Sequence, residues 1–214
     1  MHQHQTKIGI LFKFILASIP ALILLYLNTI EVWHYTIDDA YISFRYAKHL
    51  GEGYGLLWNK LGTPVEGYTN FMLVLILALL HNCGLDIIIS AKVIGISSSV
   101  SIICLLIAIN RKQYDSYVGG IIISILFSIA PVIALHSVSG LETMFFSFIL
   151  LSIAFILHKF FLEITSNDSS SDIFGLHQFY INRILICILG LLLCLIPDGQ
   201  FKIPQLWPGQ NPPA

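Results

Sequence analysis

The 214-residue sequence predicts an all-α fold: a polytopic helical membrane protein with about five transmembrane helices and amphipathic surface helices in its first outer loop. Three observations carry this. Apolar residues make up 56% of the chain and charged residues only 11%, under half the share of about 25% in soluble domains. Mean hydropathy is +0.81. The apolar residues also fall in runs of the length that crosses a bilayer as a helix, about 20 residues and roughly 17 at the short end. The 11 Lys+Arg and 12 Asp+Glu leave a net charge of −1 with no basic run, which excludes nucleic-acid binding through a basic surface.

The first run, Phe14 to Ile30, follows Lys7 and Lys13, like the charged start of a signal peptide. Its exit, Asn28 to His34, has no small-x-small cleavage pattern, so an uncleaved signal-anchor is expected. Four more spans are expected at Ile87 to Ile109, Val118 to Val138, Leu141 to Leu162 and Ile184 to Ile196. Phe71 to Leu80 is too short to span and reads as an interfacial or re-entrant segment. With that segment not crossing, Arg111-Lys112, Lys159 and Arg183 share a side with Lys7 and Lys13. The positive-inside rule then makes the N-terminus cytoplasmic. The long loop Glu31 to Asp86 and the turn Ser139-Gly140-Leu141-Glu142 share the outer face.

Beyond the spans, Asn167-Asp168-Ser169-Ser170-Ser171-Asp172 reads as a solvated cytoplasmic linker. Five of the eight prolines fall in Pro197 to Pro213. Residues 200–214 are therefore expected to be a disordered Pro-rich tail, after a membrane domain over residues 1–199. Cys83, Cys104, Cys187 and Cys194 form no CxxC pair and read as small hydrophobes, not as a disulfide or zinc framework.

Chemistry needs a water-facing segment, and the outer loop is the one large enough to hold a site. In Thr36 to Leu50, helical spacing puts Ala40, Phe44 and Ala47 on one stripe and Tyr41, Arg45 and Lys48 on another. This is an amphipathic helix on the membrane surface, its basic heads available to lipid phosphate. Gly51, Gly53 and Gly55 end it. At its start sits the pair Asp38-Asp39. Acids at a helix start satisfy free N–H groups and suit the dipole. Two adjacent carboxylates at a membrane surface also suit binding a cation or taking a proton from a substrate hydroxyl. Both readings stand on the sequence.

Glu66 precedes Thr69 and Asn70, either of which suits the N-cap of the short apolar helix; it reads as a solvated loop acid or a site residue. Glu142 reads either as half of a capping box, Ser139-x-x-Glu142, or as a cavity residue facing Asp38 and Asp39. Lys92, near the outer end of the second span, is expected to snorkel to the interface, and His136 to pack.

Four segments together resemble a known pattern: Asp38 to Ala47, Gly53-Tyr54-Gly55-Leu56-Leu57-Trp58-Asn59, Val65 to Asn70, and Ser139-Gly140-Leu141-Glu142-Thr143. In order and spacing they are similar to the N-terminal part of the GT-C membrane glycosyltransferases, in particular the arabinofuranosyltransferase-like and mannosyltransferase-like members that use polyprenyl-phosphate sugars. The resemblance runs from about Asp38 to Gly199. It implies a bacterial-type inner (plasma) membrane protein that moves a sugar from a polyprenyl-phosphate donor to an envelope glycan or lipid acceptor. Asp38 or Asp39 would be the catalytic base, the other positioning it or a cation, and Glu66 and Glu142 would line the same outward cavity. Arg45, from its helix face, would meet the lipid-linked phosphate. No cofactor is implied with certainty; a divalent cation is compatible with the acidic pair.

Leu195-Ile196 stands before Pro197-Asp198-Gly199, where the family usually has an arginine. Family members also continue for several more spans, so a truncated product is expected, an enzyme only if its fold is complete or a partner completes it. The competing reading is a non-catalytic integral membrane subunit or scaffold. A small transporter ranks last, because mid-span charge is absent and Pro20 and Pro131 are the only prolines inside spans.

Overall fold

Among the described residues, several helix ends fall where the sequence supplies a cap, a glycine or a proline: Asp86 before the helix Ile87–Tyr114, Gly84 after Phe71–Asn82 and Pro131 at the start of Pro131–Val138. The structure is a computed structural model. It describes residues 2–60, 65 and 67–167, with side chains for 9–60, 65 and 67–160. Among the described residues there are seven helices and no strand: α1 His2–Glu31, α2 Asp38–Gly51, α3 Phe71–Asn82, α4 Ile87–Tyr114, α5 Val118–Ile129, α6 Pro131–Val138 and α7 Thr143–Asn167.

Three stretches are long and apolar enough to cross a membrane: Gly9–Glu31 of α1, Ile87–Tyr114 (α4) and Thr143–Phe160 of α7. A fourth exists if α5 and α6 are one broken span. The expectation of five spans is therefore corrected to three or four among the described residues. The fifth run, Ile184 to Ile196, lies outside them, as do the linker and the Pro-rich tail. The third span is also not the continuous helix expected over Val118 to Val138. It bends by 68° between α5 and α6. Pro131 has no N–H to give and disfavours helical backbone in the residue before it. Ala130 accordingly sits at φ −72, ψ 116, and Pro131 restarts the chain in the first turn of α6.

Small residues set the helix contacts. On α1, Ala17, Ala21 and Leu25 are buried at every fourth position, and on α5 so are Gly120, Ser124 and Ser128. The two helices pack together, and Asn28 Nδ2 donates to the Ser128 carbonyl at 2.9 Å. Lipid tails are as apolar as leucine, so close approach of small side chains and interhelical hydrogen bonds supply the attraction. Against α6, Gly95 of α4 leaves no room for a Cβ, which would run into the Ser137 carbonyl. One turn on, the Ser99 and Ser137 hydroxyls meet at 2.6 Å.

The connection from α3 to α4 is closed by Gly84 at φ +85, with Leu85 N donating back to the Leu80 carbonyl at 3.1 Å. This is the Schellman stop that a left-handed glycine permits. Two residues later Asp86 caps α4, its Oδ1 accepting from Ile89 N at 2.8 Å. At the other end of α4, Arg111 and Lys112 lie in the last turn, where the helix dipole favours cations.

The surface helix is as its periodicity predicts. Ala40, Phe44 and Ala47 are buried, whereas Tyr41, Arg45 and Lys48 are exposed. The buried stripe packs with Leu73, Val74 and Leu77 of α3 and Ala91 of α4. The α2–α3 pair thus sits against the start of the α4 span.

Candidate functional site

Asp38 and Asp39 are the first two residues of α2, after Ile37 at the N-cap. No side chain caps this end, and both carboxylates are exposed with no hydrogen bond or ion pair among the described residues. Their position in the first turn matches their charge to the free N–H end of the helix. A helix advances 100° per residue, so the two point to different faces. Asp38 lines up with Arg45, seven residues and about 10 Å further along the axis. Asp39 lines up with Ser43 and Tyr46, the side that α2 buries.

On that buried side, three sequence-distant segments are tied together. Ser43 Oγ donates to Asn70 Oδ1 at 2.8 Å, and Asn70 Nδ2 donates to Glu142 Oε2 at 2.8 Å. Ser43 and Asn70 are 4% and 8% exposed, so this is an interior network with a half-buried carboxylate at its end. Just before α2, Ile37 N donates to the Ser139 carbonyl at 3.1 Å. Gly140, at φ +86, brings the 139–142 turn so close to α2 that a Cβ there would lie 2.7 Å from Phe44 Cζ. The turn is thereby clamped on the start of α2.

Of the two readings of Glu142, the capping box with Ser139 is not formed. Ser139 instead follows α6, donating to the His136 carbonyl at 3.2 Å and accepting from Leu141 N at 3.3 Å. Glu142 turns its side chain to Asn70, which occupies the N-cap position of α3 without capping it. Asn70 and Ser43 are the site residues that sequence reasoning missed. The signal available was an Asn at a helix start whose cap role was only one of its options.

Glu66, expected beside Glu142, lies outside the described residues. Its neighbours are held by one tyrosine: Tyr46 Oη donates to the Val65 carbonyl at 2.6 Å, and a Cβ on Gly67 would sit 2.9 Å from Tyr46 Oη. Among the described residues no three His, Cys, Asp or Glu side chains converge to hold a metal ion.

Arg45 faces elsewhere. Its guanidinium lies 4.3 Å from the Trp58 ring centroid and donates to Asn59 Oδ1 at 3.1 Å. It lines a cleft of about 650 Å³ between α2 and the α3–α4 turn, together with Tyr41, Lys48 and His81. Asp38, Asp39, Asn70 and Glu142 do not line this cleft.

Lys92 does not snorkel. It is 5% exposed, and its Nζ donates to the carbonyls of Trp33 at 2.5 Å and Tyr35 at 2.9 Å. The segment joining α1 to α2 leaves carbonyls free beside the N-terminal end of α4, and the ammonium satisfies two of them there. It thereby holds the stretch that leads into Asp38.

No family model, curated protein or solved structure matches the chain.

Proposed function

We propose that the chain is a glycosyltransferase-like membrane protein, with its N-terminus cytoplasmic, that moves a sugar from a polyprenyl-phosphate donor to a cell-envelope acceptor on the outer face of the membrane. The reading rests on the GT-C resemblance of the four segments, and one structural observation supports it. Segments 27 and 72 residues apart meet through the Ser43–Asn70–Glu142 hydrogen bonds, beside the start of α2. Three of the four segments that carry the resemblance are thus joined in space.

In the proposed reaction Asp38 or Asp39 takes the proton of an acceptor hydroxyl. The hydroxyl oxygen bonds to the anomeric carbon, and the carbon–oxygen bond to phosphate breaks with its electron pair leaving on the phosphate. Phosphate is a good leaving group, so a second, protonated carboxylic acid is less needed than in glycosidases. Glu142, held by Asn70, would orient sugar or acceptor hydroxyls by accepting hydrogen bonds, and Glu66 would do the same from the loop.

A non-catalytic subunit is favoured by a different observation: both aspartates are exposed and nothing among the described residues orients them. Transfer of labelled sugar from polyprenyl-phosphate donors, assayed in membranes carrying the full chain, separates the two. A catalytic chain transfers sugar, and Asn in place of the base lowers the rate by about 10² to 10⁴-fold. No transfer by the intact chain, or equal transfer by Asp38→Asn and Asp39→Asn, rejects the enzymatic reading.

A further inference from the structure

The cleft between α2 and the α3–α4 turn shares no residue with the carboxylate network, and its chemistry is different. On the α2 side it is lined by Arg45 and Lys48, one turn apart on the exposed stripe. On the α3–α4 side it is lined by His81 and Asp86 together with the apolar Leu85 and Ile88, where the α4 span begins. At about 650 Å³ it falls within the range of roughly 300–1,000 Å³ typical of small-molecule sites.

The lining carries an excess of positive charge, two side-chain cations against one carboxylate. Arg45 is engaged only by a neutral amide and an indole face among the described residues. Among those residues Lys48 has one long ion pair, 4.0 Å to Glu52, a carboxylate that Lys60 binds at 2.7 Å. The carboxylate in the lining is Asp86, which keeps its charge while its Oδ1 caps α4.

We propose that this cleft binds the headgroup of an anionic bilayer glycerophospholipid. Its phosphate is held by Arg45 and Lys48, with His81 as a further hydrogen-bonding group, and its acyl chains descend along Leu85 and Ile88 beside α4. A resident lipid would pin the α2–α3 pair to the membrane surface. The assignment does not depend on the sugar-transfer reading. It takes Arg45 away from a donor's departing phosphate, because the guanidinium shares its cleft with Lys48 and His81, not with Asp38 and Asp39.

The test uses the full chain in phosphatidylcholine nanodiscs doped with phosphatidylglycerol, with retained lipid counted by native mass spectrometry after release. Each cation near an anionic headgroup contributes about fivefold in affinity, so Arg45→Gln with Lys48→Gln is expected to lower retention about thirty-fold at low salt. A control of the same net charge but remote from the cleft and from Glu52, Lys13→Gln with Lys112→Gln, is expected to retain phosphatidylglycerol as the unmodified chain does. Equal loss in the control would mean general charge attraction and overturn the proposal. Competition on the unmodified chain is a second measurement that needs no variant. Displacement of phosphatidylglycerol by polyprenyl phosphate would assign the cleft to a donor lipid, and displacement by inorganic phosphate would assign it to a free anion. Either overturns the proposal, whereas persistence of bound phosphatidylglycerol against both supports it.

Discussion

Replacing Asn70 by alanine should be the most damaging polar substitution around α2 and α3. Two bonds are lost together. The Ser43 hydroxyl, 4% exposed, loses its acceptor, and an orphaned buried hydroxyl costs about 1–3 kcal/mol. Glu142 loses a charge-assisted donor, a bond of about 1.5–3 kcal/mol. Glu142 is only half-buried and regains water, so the lower half of the sum applies, about 3 kcal/mol. Replacement by aspartate should be worse, because it sets a second carboxylate against Glu142, whereas Glu142→Gln keeps an accepting oxygen and should cost about 1 kcal/mol. Equilibrium unfolding of the purified chain in mixed micelles measures all three. A cost for Asn70→Ala below about 0.5 kcal/mol, the range of ordinary surface substitutions, would show that the network contributes nothing.

Three further outcomes follow from the same contacts. Gly140→Ala should destabilise more than Gly53→Ala in the same unfolding assay: both positions are left-handed, at about 1–2 kcal/mol each, but only Gly140 would press a Cβ on Phe44 and Ala40. Lys92→Met should cost about 2 kcal/mol by leaving the Trp33 and Tyr35 carbonyls unpaired, and Lys92→Arg should recover much of it; a stable Lys92→Met chain would count against the clamp. The Lys60 ammonium beside Glu52 lowers the Glu52 pKa below 4.5, and Glu52 in turn raises that of Lys60 above 10.5. What stability the pair adds is fully present between the two unfolded-state values. It is lost as pH falls through the lowered Glu52 pKa or rises through the raised Lys60 pKa. NMR titration of Glu52 should show its midpoint moving upward in Lys60→Gln, and an unmoved midpoint would mean the pair is not formed in solution.

How much of this was legible in the sequence depended on the range of the interaction. α2 was readable because burial of Ala40, Phe44 and Ala47 repeats at the helical period, a local property. The short α3 was readable from its length, and Asp38-Asp39 from its place at a helix start. The bend at Pro131 was a local signal given too little weight: an apolar run long enough to span concealed a residue that cannot continue a helix. Lys92 was misjudged because its acceptors are carbonyls more than fifty residues away, which no window along α4 contains. For Glu142 the sequence left a capping box with Ser139 and a cavity role both open, and neither reading contained its partner in space, Asn70. Hydrogen-bond donors chosen by tertiary packing leave no mark in local spacing.

The most direct test of the account is the side of the membrane on which α2, Asn70 and the 139–142 turn lie. In a chain whose native cysteines are replaced by serine, Lys60→Cys and Lys112→Cys are each treated with a membrane-impermeant thiol reagent added from outside. Labelling is expected at residue 60, and none at residue 112 until the membrane is opened. Labelling at residue 112 from outside, or none at residue 60, would put the carboxylates on the cytoplasmic face or α3 across the membrane, and would contradict the account.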